Sequence, residues 1–140
     1  MDFKHFIPYQ LSALSLKISK GLAKHYRNRF NISVPEWRVL VILNSHPNIT
    51  AKTIAEHTQM DKVPISRALK SLNDKNYTLQ KPHPDDARAT INRLSTRGNE
   101  LMAVLIPDAI NYEQSLLKQL TQEERRQLSQ LIDKFNRILD

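Results

Sequence analysis

Cysteine is absent from this 140-residue chain, and glycine nearly so, with only Gly21 and Gly98. Without thiols there are no disulfides, no thiolate metal sites and no cysteine-based redox sensing. Two isolated glycines build neither a Gly-rich phosphate loop nor a Gly/Ser linker. Long apolar runs are missing as well. The longest covers residues 101–106, far below the ~20 residues of a membrane span. Residues 1–10 lack the basic start and apolar core of a secretory signal. No membrane partner is therefore expected, and the missing thiols fit the reducing cytoplasm as the location.

Clusters that carry chemistry are equally scarce. The five histidines are His5, His25, His46, His57 and His83. None stands at close metal-ligand spacing from a second histidine or a carboxylate on the same helix face, so no metal site is expected. Asp85 and Asp86 are adjacent, but in a turn rather than a catalytic setting. No catalytic residue and no cofactor are expected, and the chain is not read as an enzyme.

Charge and helical patterning are what the chain does have. At 40% apolar and 25% charged residues it has the balance of a soluble globular protein that can bury its own core. Residues 1–97 carry 16 Lys/Arg against 7 Asp/Glu, whereas residues 98–140 carry 5 against 7. A basic body with a slightly acidic tail fits a polyanionic partner for the body. Charge alone is equally compatible with a basic protein that has none.

Six segments have helical periodicity. In residues 8–29, Leu11, Leu14, Ile18, Leu22 and Tyr26 form one stripe, and Phe6, Tyr9, Ala13 and Leu16 a second. A helix apolar on two sides must be covered on two sides. Residues 35–44 follow a capping box, Ser33 and Glu36, and supply Trp37, Leu40, Val41 and Leu43 to the core. A third helix starts at Thr50, with Ile49 and Ile54 at hydrophobic-staple spacing. The fourth, 61–75, has Pro64 in its first turn and Ile65, Ala68, Leu69 and Leu72 as an i, i+3, i+4, i+7 stripe. Residues 77–81 and 89–94 read as strands, with Tyr77, Leu79 and Ile91 alternating inward, around a Pro82-His83-Pro84-Asp85-Asp86 turn. A fifth helix runs from 95 to 118 and is expected to kink at Pro107 or break after Ile106, because a mid-helix proline costs ~3 kcal/mol. The sixth starts from a Thr121–Glu124 capping box and carries Leu128, Leu131, Ile132, Phe135 and Ile138 in one stripe.

Two short helices around the tight Thr58-Gln59-Met60 turn, followed by a hairpin, make a winged helix-turn-helix layout. The fold class is therefore mainly α (α+β), a winged helix-turn-helix with flanking terminal helices. Opposite its apolar stripe the fourth helix presents Lys62, Ser66, Arg67, Lys70 and Asn73, residues that bond to phosphates and base edges. Any surface helix has a polar face, and Asp61 and Asp74 dilute this one. The hairpin adds Lys81, His83, Arg88 and Arg93 beside it.

These motifs resemble the MarR family of bacterial transcription regulators over nearly the whole chain. The most specific stretches are Ile49-Thr50-Ala51-Lys52-Thr53-Ile54-Ala55, then Met60 to Leu72 with its Ser66-Arg67 pair, then Asp86-Ala87-Arg88 and Leu94-Ser95-Thr96-Arg97-Gly98. The resemblance implies that Ser66 and Arg67 face the major groove, and Lys62, Pro64 and Lys70 are expected as further DNA contacts of the same helix. It implies that Lys81, His83, Asp86 and Arg88 form the wing contacts, with Arg88 in the minor groove and Asp86 steering it. It also implies a homodimer, with 1–32 and 99–140 as dimerisation region and 33–98 as DNA-binding region. The implied partner is double-stranded DNA with a pseudo-palindromic operator. A small aromatic or phenolic effector is implied as well, near His25, Tyr26, Trp37 and Arg38, although Tyr26 and Trp37 read equally as core. Three positions depart from the family pattern. Asn76 stands where glycine is usual but tolerates a left-handed backbone. Gln80 replaces an arginine, and Ser95 replaces a threonine and retains capping ability. The competing reading is a winged-helix protein-interaction module without specific DNA binding.

Overall fold

Side-chain caps start three of the helices where the sequence places them. Ser33 and Glu36 close a complete capping box, as do Thr121 and Glu124, and the Thr50 hydroxyl accepts from the Thr53 N–H at 3.3 Å. The computed structural model describes residues 1–140. After a single 3-10 turn at Phe3–His5 the order is α1 (Ile7–Ala23), α2 (Arg27–Phe30), α3 (Val34–Ser45), α4 (Ala51–Thr58), α5 (Lys62–Asp74), β1 (Thr78–Pro82), β2 (Thr90–Leu94), α6 (Thr96–Leu117) and α7 (Gln122–Leu139). The mainly helical winged helix-turn-helix architecture is thus present, with one two-stranded antiparallel sheet running from Thr78↔Leu94 to Pro82↔Thr90. No helix is long and apolar enough to cross a membrane.

Three local expectations need correction. The first helix does not run through to residue 29; it stops at Ala23, and a turn precedes α2. Packing is the reason: Tyr26 is buried and stacks on Trp37, a position reached at φ −127°, ψ −21° rather than with helical angles. In the hairpin Leu79 is exposed and Thr78 buried, so the inward alternation is out of step with the Tyr77–Leu79 reading. Tyr77 lies before the strand and fills the core from the turn. Finally, of the kink or break expected at Pro107, the break is absent: α6 passes through Pro107 as one helix. Proline removes one N–H donor there, and helix-favouring residues such as Glu100, Leu101, Met102 and Ala103 precede it.

The chain divides into two compact units, Met1–Ile106 and Pro107–Asp140. The first holds every fully buried side chain, with Tyr26, Ile32, Leu40, Leu43, Ile54, Ile65, Leu72, Met102 and Leu105 at its centre. The second contains the end of α6 and α7 and has no buried residue.

Candidate nucleic-acid interface

The α5 helix is amphipathic along two opposed stripes. Ile65, Ala68, Leu69 and Leu72 are buried, while Lys62, Ser66, Arg67 and Lys70 are exposed on the other side and Pro64 is half-buried. Asp61 is the N-cap residue but makes no side-chain cap bond, so the first N–H groups of α5 stay open toward solvent. A left-handed Gln59 (φ 56°) makes the turn from α4, tightened by Thr58, whose hydroxyl donates to the Ile54 carbonyl at 2.9 Å and accepts from Met60 N–H at 3.3 Å.

The far end of α5 is fixed by three independent devices. Asn76 sits at φ 65°, and the bonds Tyr77 N–H to Leu72 carbonyl (2.9 Å) and Asn76 N–H to Asn73 carbonyl (3.0 Å) complete a Schellman stop. Asparagine therefore does here what glycine would. Next to it, Lys75 Nζ donates to Glu36 Oε2 at 2.9 Å and to the Asn31 carbonyl. The Glu36 side chain is only 7% exposed. Burial pushes its carboxyl upward, but the hydrogen bonds from Lys75 and Ser33 outweigh that and hold it below the ordinary 4.5. One carboxylate thus caps α3 and ties down the end of α5. The third device is Ser95, whose hydroxyl donates to the Asn76 carbonyl at 2.6 Å and accepts from Gly98 N–H at 3.0 Å. A Cβ at position 98 would lie 2.1 Å from the Tyr77 carbonyl oxygen, which explains the glycine of the Leu-Ser-Thr-Arg-Gly run.

The wing is anchored by a residue that sequence reasoning passed over. Asn92 is fully buried and pairs with Ile49: Asn92 N–H donates to the Ile49 carbonyl at 2.8 Å, Ile49 N–H donates back, and the Asn92 amide adds a third bond. Gln80 donates to Asn92 Oδ1 at 3.2 Å, so the residue standing in place of the family arginine supports the wing base. Asn92 shares its strand face with Thr90 and Leu94 and lies opposite Gln80, so no apolar pattern marks it in the sequence. At the tip, His83 Nδ1 accepts from the N–H groups of Asp85 (3.0 Å) and Asp86 (3.2 Å), and Asp86 Oδ1 accepts from the Arg88 backbone N–H at 3.0 Å. Asp86 therefore orders the main chain of Arg88 and makes no ion pair with its guanidinium. Lys81, Asp86 and Arg88 are exposed.

Of the four residues expected beside an effector, Tyr26 and Trp37 come together as a stacked pair, 5.2 Å between ring centroids at 16°. The Tyr26 hydroxyl is buried without a hydrogen-bond partner. Burial pushes its phenol upward against the lesser, opposing pull of Arg38 and Arg27. Arg38 is half-buried and donates to Ser19 Oγ at 3.3 Å, and His25 is exposed.

Residues 32–90, the stretch holding α3, α4, α5 and most of the hairpin, match the model of the MarR family. A MarR/EmrR family transcriptional regulator from Acinetobacter sp. ADP1 superposes with a TM-score of 0.89 at 28% identity, covering 100% of this chain and 99% of that one. Residues 32–90 thus carry a MarR-family domain match. The chain is also similar to a Bacillus subtilis (strain 168) protein, the organic hydroperoxide resistance transcriptional regulator, at 27% identity over 72% of each chain. The fold is shared with Bordetella bronchiseptica BpsR, whose DNA binding is regulated by 6-hydroxynicotinic acid (TM-score 0.85, 17% identity, 97% and 96% covered). The matched region accordingly has the winged-helix fold of MarR-family transcription regulators.

Proposed function

We propose that the protein is a homodimeric, cytoplasmic, sequence-specific DNA-binding regulator, a repressor relieved by a small aromatic or phenolic ligand. The exposed Lys62-Ser66-Arg67-Lys70 face of α5 carries the reading, because it is held at both ends by local devices and lies in a MarR domain. Lys62, Pro64, Ser66, Arg67 and Lys70 enter the major groove, and Lys81, His83, Asp86 and Arg88 serve the wing, with His83 and Asp86 acting through its backbone. Terminal helices from 1–32 and 99–140 supply the dimer. The apolar residues they expose, among them Leu11, Leu14, Leu131 and Phe135, support that. A two-fold dimer reads a pseudo-palindromic operator.

The effector reading rests on Tyr26, Trp37, Arg38 and His25. A buried hydroxyl without a partner costs ~1–3 kcal/mol, which a ligand oxygen offsets. With no cysteine in the chain, a thiol response to hydroperoxide is excluded, whatever the relative's name.

Selection of binding sites from random duplex DNA, followed by a salt titration on the selected site, tests the proposal. A two-fold symmetric motif and an affinity falling by ~10³ or more between 50 and 200 mM salt are expected. Arg67→Ala should weaken binding by ~1–3 kcal/mol per half-site and relax one base position. No motif and a salt slope near zero would leave α5 as a protein-interaction face instead.

A further inference from the structure

We infer that Val63 reads the 5-methyl group of one thymine in each operator half-site, an inference that rests on the major-groove placement of α5. Val63 is the second residue of α5 and is 58% exposed. It stands at position i of the stripe whose i+3, i+4 and i+7 members are Ser66, Arg67 and Lys70, opposite buried Ile65, Ala68, Leu69 and Leu72. Large apolar side chains are otherwise left exposed mainly on the terminal helices. Between residues 19 and 103 only Val63 and Leu79 are.

Neither folding nor packing accounts for a valine there. Its β-branched side chain is a weaker helix former than alanine, lysine or glutamate, and it contributes nothing to the core. The major groove offers one apolar feature among its donors and acceptors, the thymine methyl. Valine presents two methyl groups and no hydrogen-bonding atom. It discriminates by covering that methyl, and it leaves the amino group of a cytosine at the same place without a partner. Lys62 on one side and Ser66 and Arg67 on the other hold the helix end against phosphates and base edges, so the valine sits within a polar frame. Hydrogen bonds thus set the register, and Val63 adds a methyl-dependent preference at one position.

The test uses the full-length protein and its selected duplex. Each thymine is replaced in turn by uracil, which removes the methyl and nothing else, and affinity is measured for the wild type and Val63→Ala. At one thymine per half-site the wild type should lose roughly fourfold, the value of one buried carbon. Val63→Ala should bind the thymine duplex roughly fourfold more weakly and be indifferent to that uracil. Alanine favours the helix, so an unchanged thermal midpoint is expected as a control. A wild type insensitive to every uracil overturns the inference, as does a Val63→Ala protein that keeps the full uracil penalty. Both results leave sequence-specific binding intact. Loss of specific binding by the wild type on the all-thymine duplex overturns the regulator reading itself, and the inference with it.

Discussion

Helices α5 and α7 are both strongly amphipathic, yet their apolar stripes have opposite fates. The α5 stripe of Ile65, Ala68, Leu69 and Leu72 is buried within its own unit. The α7 stripe of Leu128, Leu131, Ile132, Phe135 and Ile138 is 44–65% exposed. The 3.6-residue pattern therefore announces a face but not what covers it. For α5 the cover comes from the same chain, and stability there is a matter of local packing. For α7 it must come from elsewhere, and stability there should depend on protein concentration. The two kinds of helix can be separated by substitution.

Phe135→Asp should have the largest effect. The proposed dimer is symmetric, so each substitution acts twice. Losing one large apolar contact of ~2 kcal/mol per copy amounts to about a thousandfold in the dimer dissociation constant. Sedimentation should show a monomer at concentrations where the wild type is a dimer, with the helical signal of the first unit retained. Unchanged association would break the comparison, because α7 would then be exposed for another reason.

Gly98→Ala probes the covered side. Its Cβ would lie 2.1 Å from a main-chain oxygen, and only backbone movement relieves that. A loss of ~3 kcal/mol is expected in denaturant unfolding, independent of protein concentration. Association should survive wherever the chain folds. Dissociation without a stability loss would contradict the division between the two helices.

Glu36→Gln sharpens the same side through pH. The Glu36 carboxyl is held below its ordinary 4.5 in the folded protein. The unfolded chain therefore binds its proton first as acid is added, and the contribution is present above that value and lost as pH falls through the folded one. Glutamine keeps the shape and the cap but not the charge opposite Lys75. The variant should be ~1.5 kcal/mol less stable at neutral pH, with the gap closing as pH falls below the ordinary 4.5 and through the lowered folded value. A constant gap across that range would show that the charge of Glu36 is not what separates the two proteins.

The devices around α5 also show what sequence can and cannot disclose. Ser33, Thr50 and Thr121 act on N–H groups three residues away, so spacing alone reveals their caps. Asn76 is similarly local: a left-handed position after a helix needs glycine or asparagine, and its bonds reach back only to Asn73 and Leu72. Lys75–Glu36 and Asn92–Ile49 span 39 and 43 residues, and nothing in either neighbourhood announces the partner. The break at Tyr26 belongs with these, since it is caused by a ring eleven residues downstream. At the site, the polar face of α5 followed from periodicity. His83 and Asp86 were legible as wing residues, but their work on backbone N–H groups was not, because it depends on how the turn closes. Val63 was passed over because an apolar residue on a polar face carries no polar signal to notice.

The smallest effect concerns the exposed ion pair on the polar face of α5. Lys70 Nζ lies 3.2 Å from Asp74 Oδ2, with side chains 80% and 65% exposed. A surface pair of this kind contributes ~0–1 kcal/mol, screened by salt. Asp74 is also the last residue of α5, where the helix dipole disfavours a negative charge by a few tenths of a kcal/mol. The two terms oppose each other, so Asp74→Asn should change stability by less than ~0.5 kcal/mol. DNA affinity should move more. The substitution frees a lysine for phosphate and removes a repelling carboxylate, and about a threefold gain is expected at low salt, shrinking as salt rises. In contrast to Glu36, where losing the negative charge weakens the fold, the same loss at Asp74 should strengthen binding. An Asp74→Asn protein that binds no better at any salt concentration would place Lys70 away from the phosphates and leave Arg67 as the principal cation of the face.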